Sequence, residues 1–220
     1  MYISTDAIIL KNTPYKESSI ISRIFTLNHG KISIIFKGAK KNKNNIPAII
    51  EPGNVISITY YNNNSSLKTA KEVQIKKTYY NTRKILNHYY YTMAIISILD
   101  KLSYENHPEE EMFNLSLKVF NDIDNGSARI DIIFIYFLFQ LSKSLGFELS
   151  YSSTYTDLID ELNSSNSNLS DIEGMFFQDS DSIKKIKIMI YKHMRDHLID
   201  LNELHTVKIL RNHGKPSRSN

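Results

Sequence analysis

The chain of 220 residues contains no cysteine. Disulfides, cysteine-ligated zinc, iron–sulfur clusters and a cysteine nucleophile are therefore excluded, and the composition fits a reducing cytosol. The N-terminus has no basic region of the signal-peptide type, so no secretory leader is predicted. The longest apolar run, residues 132–141, contains Gln140 and has roughly half the length that a membrane-spanning helix needs.

Signatures of catalysis are also missing. The segment GAKK at residues 38–41 lacks the spacing of a P-loop. His193 and His197 lie four residues apart on a predicted helix, a spacing that can hold a metal, but no glutamate follows His193 and no third ligand is evident. No serine, histidine and aspartate set can be identified. The sequence therefore predicts a protein that is not an enzyme and has no cofactor or metal.

Negatively charged residues are scarce in the first part of the chain. Residues 1–88 contain 14 Lys and Arg against 4 Asp and Glu, whereas residues 89–220 contain 13 against 19. A hydrophobic content of 41% and a charged content of 23% are typical of a globular protein with a sizeable core. The asymmetry predicts that the first part meets an anion and that the second has another role.

The first 78 residues have the pattern of a small β-barrel. Short β-branched and aromatic runs alternate with turn residues, without amphipathic helices between them. Pro14 is expected to end the first strand, and residues 46–52 receive no assignment. The predicted strands cover residues 5–11, 18–27, 31–36, 55–61 and 67–76.

Helical periodicity begins after residue 77, so the predicted fold class is α+β with a barrel at residues 1–78 and a helical domain at 79–220. The segment 129–145 is apolar on nearly all sides and is expected to be a buried central helix. A polar insert at about 150–180 is expected to be mobile, and the tail from residue 214 disordered. The other predicted helices cover residues 79–102, 109–123, 155–162 and 182–201.

A lysine-rich loop follows the third strand, within the segment GKISIIFKGAKKNK at residues 30–43. Lysine ammonium groups attract phosphate strongly but define little reaction geometry, so the loop suits a polyanion. Strict alternation places Lys68 and Lys76 on one face of the last strand and Lys71 and Lys77 on the other, unless a bulge intervenes. The candidate nucleic-acid-binding residues are Arg23, Lys31, Lys37, Lys40, Lys41, Lys43, Lys68 and Lys76.

Two further features are candidates for binding. Tyr60 and Tyr61 are adjacent in a strand and point to opposite faces, so at most one of them is a platform for base stacking. The last long helix opens with Lys184, Lys185 and Lys187, which are weaker candidates for docking an acidic peptide.

The order and spacing of the N-terminal motifs resemble those of the bacterial RecO family of recombination mediators. The resemblance covers about the first 75 residues, with a weaker similarity near residues 190–210. The matching segments are DAIIL at residues 6–10, YKE at 15–17, FT at 25–26, GKI at 30–32, KGAKK at 37–41 and HLIDL at 197–201.

This resemblance implies an OB-fold barrel followed by a helical domain. It also implies binding of single- and double-stranded DNA, annealing of complementary strands, and help in loading the RecA recombinase. The implied partners are RecR and the acidic tail of the single-strand binding protein, at the nucleoid in the cytoplasm. Many family members carry a four-cysteine zinc module after the central helix, and this chain, without cysteine, should lack it.

Two alternatives to a DNA mediator remain open at this point. An RNA-binding or ribosome-associated OB-fold protein would also bind nucleic acid in a salt-sensitive way. A protein-interaction scaffold, whose lysines reflect a genomic composition bias, would bind DNA negligibly at physiological salt.

Overall fold

A computed structural model describes residues 1–41, 45–149, 156–164, 168–177 and 180–213. Five strands close into a barrel in the order β1-β2-β3-β5-β4, in which only the pair β3 and β5 is parallel. This is an OB-fold barrel, and with the helices that follow it confirms the predicted α+β class. The strands are β1 (Tyr2–Tyr15), β2 (Ser19–Thr26), β3 (Gly30–Phe36), β4 (Val55–Tyr61) and β5 (Leu67–Lys77).

Alternating apolar residues fill the barrel. In β3, for example, Ile32, Ile34 and Phe36 belong to the core, while Lys31 and Ser33 face outward. Each fully buried isoleucine or phenylalanine side chain stabilises the fold by about 1.5–3 kcal/mol. The buried core consists of Ala7, Ile9, Ile24, Ile32, Ile34, Phe36, Ala39, Ile50, Ile56, Ile58 and Tyr60.

The expectation that Pro14 ends the first strand is wrong. β1 continues to Tyr15, and Pro14 lies opposite Ile20 in the pairing with β2. β4 pairs with β1 only from Tyr2 to Ile8, so the later part of β1 is an edge, where a proline is tolerated.

The strict alternation assumed for the last strand is also wrong. The register between β4 and β5 shifts twice, because Tyr60 pairs with Ala70 while Thr59 pairs with Glu72, and Val55 pairs with Lys77 while Ile56 pairs with Ile75. Each shift leaves one lysine of β5, Lys71 or Lys76, as the extra residue of a bulge.

Residues 46–52, for which no secondary structure was predicted from the sequence, pack at one end of the barrel. They include the short helix α1 (Ile46–Ile49), and Ile50 joins the core. The buried side-chain amide of Asn54 donates to the carbonyl oxygens of Ala48 at 2.9 Å and Ile49 at 3.0 Å, which holds the end of this helix.

The chain divides into two compact units. The first comprises Met1–Tyr79 and Ile96–Phe113, and the second comprises Tyr80–Ile95 and the described part of Asn114–Asn220. The predicted division at residue 78 did not anticipate that residues 96–113 group with the barrel. Within the first unit, the backbone N–H of Lys31 donates to the carbonyl of Tyr104 at 3.0 Å, and the rings of Phe25 and Phe113 lie 5.7 Å apart.

A series of helices follows the barrel. They are α2 (Tyr80–Lys84), α3 (Leu86–Leu102), α4 (Glu110–Asn125), α5 (Ile130–Ser144), α6 (Thr156–Asn163), α7 (Leu169–Phe177), α8 (Ser180–His197) and α9 (His205–His213). Within the described ranges, no helix combines the length and the apolar character needed to span a bilayer.

Helix α5 is the buried centre of the second unit, as its sequence predicts. Eleven consecutive residues from Ile132 to Ser142 are buried, and α6, α7 and α8 pack against the helix. The one buried amide side chain of α5, Gln140, donates to the carbonyl of Leu162 at 2.7 Å and to that of Ser164 at 3.1 Å. These bonds satisfy its donors and tie α6 to α5.

The sequence pattern predicted some of these helices and not others. α6 corresponds to the short helix expected near residues 155–162, but α7 and α9 were not predicted. α8 ends at His197, before the predicted end at residue 201, and a 3₁₀ turn at Leu201–Glu203 follows. The insert that was predicted to be mobile spans about residues 150–180 and includes α6 and α7. Its residues 150–155, 165–167 and 178–179, and the tail from residue 214 for which disorder was predicted, lie outside the described residues.

Candidate nucleic-acid interface

A row of outward-facing residues crosses β1, β2 and β3. Lys11 lies opposite Arg23, which lies opposite Ser33. Two residues further along β1, Thr13 lies opposite Ile21, which lies opposite Ile35. Lys37, which follows β3, continues the parity of Ser33 and Ile35 toward the β1–β2 turn.

Hydrogen bonds join this turn to the lysine-rich loop. The backbone N–H of Lys40 donates to the carbonyl of Ser18 at 2.9 Å, and its ammonium donates to the carbonyl of Lys16 at 3.0 Å. Ala39 is buried in the barrel core and anchors a 3₁₀ turn at Ala39–Lys41. The loop is therefore fixed at its base, and Lys41 remains exposed beside the turn.

Five exposed lysines form what we call the basic cluster. The two joined segments, residues 16–18 and 37–41, contain a single acidic residue, Glu17. Tyr15 adds an aromatic ring, which lies 5.4 Å from the ammonium of Lys16. Such a surface attracts a polyanion without selecting a sequence. The cluster consists of Lys11, Lys16, Lys37, Lys40 and Lys41.

The structure places three of the candidate lysines in the basic cluster, namely Lys37, Lys40 and Lys41. Lys43 lies outside the described residues. Lys11 and Lys16 were missed by the sequence reasoning. The alternation of β1 beyond its bulge, with Lys11 and Thr13 on the outer face, was the signal that would have indicated Lys11.

Arg23 and Lys31 are turned toward the segment 96–113 of the first unit. The guanidinium of Arg23 lies 2.5 Å from the carboxylate of Asp100, and the ammonium of Lys31 donates to the backbone carbonyl of Asp100 at 2.6 Å. Both cations of β2 and β3 are thereby engaged by the chain itself. Arg23 and Lys31 are also only partly exposed, whereas Lys40, whose ammonium likewise donates to a backbone carbonyl, is exposed. The geometry of Arg23 and Lys31 therefore supports a structural role rather than contact with phosphate.

Lys68 and Lys76 do not share a face as a basic track. Lys68 is only 9% exposed, and its ammonium donates to the carbonyl of Asn63 at 2.5 Å. Lys76 is exposed, but its ammonium lies 2.6 Å from the carboxylate of Asp6. The two bulges of β5 are the physical reason that simple parity fails here.

The two tyrosines at the end of β4 point to opposite faces of the strand, as alternation predicts. Tyr60 is 2% exposed and belongs to the barrel core, where burial raises the pKa of its hydroxyl. Tyr61 points outward. Only Tyr61 is therefore accessible for stacking.

Glu109 lies near the cations of the first unit. Burial raises the pKa of its carboxyl above the usual value, against the lowering effects of His107, of a backbone hydrogen bond from Tyr104, and of Lys31. The folded state thus binds this proton more tightly than the unfolded state does. The contribution of Glu109 to the free energy of unfolding is therefore largest at low pH, where the carboxyl is protonated, and is lost as the pH rises through the pKa of the folded state.

The histidine pair has a structural explanation. The Nε2 atom of His193 lies 2.9 Å from the hydroxyl of Ser142 and 2.7 Å from the carbonyl of Phe147, and its ring lies 4.6 Å from that of His197. In the part of the chain that the structure describes, no three histidine, cysteine, aspartate or glutamate residues come together as a metal site.

Comparison with known proteins matches the barrel and the first helices after it to two models of one family. The family described as "Recombination protein O N terminal" matches residues 1–79, and that described as "Recombination protein O C terminal" matches residues 83–156. The chain belongs to the RecO family. The first match covers the barrel, and the second extends from α2 to the start of α6.

Individual RecO relatives are distant. The chain is 26% identical over 145 residues to the DNA repair protein RecO of Salinibacter ruber, which is 66% of this chain and 56% of the relative. It is 27% identical over 121 residues to that of Listeria monocytogenes, or 55% and 47%, and 24% identical over 149 residues to that of Prosthecochloris aestuarii, or 67% and 56%. The chain spans about half the length of the curated relatives it matches.

The Gly30-Lys31 pair on which the RecO resemblance partly rests has a structural role here. Gly30 has φ +63°, and a Cβ atom at this position would lie 2.2 Å from the carbonyl oxygen of His107. Lys31 is held on both sides, since its N–H donates to Tyr104 and its carbonyl accepts from the N–H of Asn106 at 3.2 Å. Glycine allows the barrel and residues 104–107 to approach this closely.

A second basic surface lies on α8, in the helical unit. Ile188, which is 69% exposed, lies in a groove of about 540 Å³. The cations around it recur at helical spacing, so they share one face. The groove is lined by Lys184, Lys187, Ile188, Tyr191, Lys192, Arg195 and Asn202.

Proposed function

We propose that this RecO-family chain is a non-enzymatic DNA-binding mediator of recombination in DNA repair. The observation that carries the proposal is the basic cluster, five exposed lysines on an OB-fold barrel with one acidic residue in the two joined segments. OB-folds bind nucleic acid with basic grooves and with the loops that flank their strands, including the β1–β2 turn. The names of the curated relatives, DNA repair protein RecO, support the same assignment.

The chemistry of the basic cluster suits both single- and double-stranded DNA. Lysine contacts to phosphate depend on charge and salt rather than on sequence or strandedness. A surface that neutralises phosphates also lowers the repulsion between two strands, which favours annealing of complementary strands. The membership in the RecO family, rather than this chemistry, leads us to propose that the chain works at the nucleoid in the cytoplasm and acts with RecR to help load RecA.

The first experiment compares nucleic acids of equal sequence. Fluorescence anisotropy of labelled single-stranded DNA, duplex DNA and single-stranded RNA should give salt-sensitive binding to both DNA forms, and complementary DNA strands should anneal faster with the protein than without it. Stronger binding to RNA without annealing would support the RNA-binding alternative. Negligible binding to all three at about 0.1 M salt would contradict the proposal and favour a scaffold.

The groove of α8 is our proposed site for the acidic tail of the single-strand binding protein. Ile188 offers an apolar contact, and the ammonium of Lys192 complements a carboxylate at its rim. The salt bridges at the ends of the groove, Lys184 with Asp181 at 3.6 Å and Arg195 with Asp196 at 2.9 Å, are exposed and contribute little, so they do not prevent this role.

Replacing Ile188 by glutamate should remove binding of an acidic tail peptide. The substitution takes away the apolar contact and adds repulsion, so we expect an affinity loss of at least about tenfold, measured by titrating a labelled peptide. Ile85→Glu is the matched control, because Ile85 is also an exposed isoleucine of the helical unit but lies outside the groove. Equal affinity of the wild type and Ile188→Glu would exclude the groove as the site.

A further inference from the structure

Two tyrosines form an exposed aromatic pair on a face of the barrel that the basic cluster does not occupy. Tyr2 and Tyr61 lie opposite each other in the pairing of β1 and β4, and they are 55% and 45% exposed. Their ring centroids are 5.5 Å apart and their planes are inclined by 68°. In this edge-to-face arrangement Tyr2 cannot cover both faces of the Tyr61 ring, and Tyr61 keeps 45% of its surface exposed.

A lysine completes this group. The ammonium of Lys71 lies 4.6 Å from the centroid of the Tyr2 ring and 3.5 Å from the carboxylate of Glu72. Its position follows from the bulge in β5, which leaves Lys71 outside the regular pairing. We call Tyr2, Tyr61 and Lys71 the aromatic platform.

The loop between β4 and β5 borders the aromatic platform and is internally ordered. The N–H of Asn62 donates to the carbonyl of Met1 at 2.9 Å, the side chain of Asn63 accepts from the N–H of Ser65 at 3.3 Å, and the carbonyl of Asn63 accepts from Lys68. Residues 62–66 read NNNSS and offer amide and hydroxyl groups. The corresponding loop of OB-folds contributes to oligonucleotide binding.

We propose that the aromatic platform stacks unpaired bases of a single-stranded nucleic acid, as a site separate from the basic cluster. Planar bases match an accessible aromatic ring face, and Lys71 supplies a cation for the adjoining phosphate. This inference rests on the proposed function, because it assumes that the barrel binds nucleic acid.

The surroundings of the aromatic platform favour a nucleic acid over an apolar protein partner. The hydroxyls of Ser4 and Thr59, 2.8 Å apart, lie next to the tyrosines on the same face, and the Lys76–Asp6 ion pair lies beyond them. Two rings within a polar and charged sheet face are too small an apolar patch for a protein interface. A duplex is also a poor ligand, since its bases are already stacked on each other.

Truncation of the Tyr61 side chain should therefore weaken binding of single-stranded DNA but not binding of duplex DNA. Tyr61→Ala should weaken binding of a labelled thymidine oligonucleotide by about tenfold and leave duplex binding unchanged, because only the single strand has bases free to stack. Tyr61→Phe retains the ring and should retain the affinity. Tyr104→Ala is the matched control, since Tyr104 is an exposed tyrosine of the same unit outside the platform.

A direct reading of stacking comes from Tyr61→Trp. The chain has no tryptophan, so this residue would be its single indole, and stacked bases should quench its fluorescence on addition of the oligonucleotide. An affinity unchanged by Tyr61→Ala, or an unquenched indole, would overturn the platform while nucleic-acid binding stands. Equal losses for single strand and duplex, or equal losses for alanine and phenylalanine, would also overturn it. Absence of wild-type binding to every nucleic acid would instead remove the proposed function itself.

Discussion

Gly30→Ala should destabilise the barrel unit by about 4 kcal/mol or more, which is among the largest effects expected of a single substitution. Two terms add at this position. The backbone has φ +63°, which an alanine adopts at a loss of about 1–2 kcal/mol. The new Cβ would also lie 2.2 Å from the oxygen and 2.6 Å from the backbone carbon and nitrogen of His107, which is main chain and cannot rotate away.

Gly38→Ala provides a matched control for this prediction. Gly38 has φ +69°, but nothing lies within 4 Å of an added Cβ. Its substitution should therefore lose only the backbone term of about 1–2 kcal/mol. Urea unfolding followed by circular dichroism and tyrosine fluorescence measures both variants. Similar midpoints for the two would show that the approach of His107 to Gly30 does not constrain the fold.

Removing four lysines of the basic cluster should reduce DNA affinity by about 10²–10³-fold at 0.1 M salt. Each lysine that neutralises a phosphate contributes roughly 0.7–0.9 to the slope of log affinity against log salt, so the slope should fall by about 3. The variant is Lys16→Ala, Lys37→Ala, Lys40→Ala, Lys41→Ala. Anisotropy of single-stranded and duplex DNA across a salt series measures affinity and slope together.

The control for this variant carries the same change in net charge elsewhere. Lys84, Lys101, Lys143 and Lys208 are exposed and lie outside both the basic cluster and the groove of α8, so their joint replacement by alanine tests long-range attraction alone. We expect its salt slope to stay near that of the wild type. If the two quadruple variants lose affinity equally, the cluster is no specific phosphate site and net charge explains the binding.

Local pattern was sufficient for much of the fold. Apolar alternation with turn residues identified all five strands, and an apolar run of helical length identified α5 as the buried centre. Both follow from side-chain periodicity, which depends on neighbours within a few residues. Short helices were identified less well: α6, with 8 residues, was predicted, whereas α7 and α9, with 9 residues each, were not. At these lengths the helical repeat appears little more than twice, so periodicity is a weak signal.

Strand register could not be derived in the same way. The bulges that set Lys71 and Lys76 apart and the passage of β1 through Pro14 depend on which strands pair and where pairing stops. A shift of one residue exchanges the two faces of a strand. The grouping of Lys68 with Lys76 therefore failed, although both residues lie in the strand that was predicted.

By itself, then, the sequence determined a barrel followed by helices, a cysteine-free chain, and a lysine-rich loop after the third strand, because these depend on composition and local periodicity. Only the tertiary structure decided which cations remain available. Arg23 and Lys31 meet Asp100, 77 and 69 residues away, whereas Lys16 joins Lys40. Tyr2 likewise meets Tyr61 only when β1 and β4 pair. Such contacts join residues that are far apart in the sequence, so they depend on strand pairing and packing rather than on the local periodicity that a sequence displays.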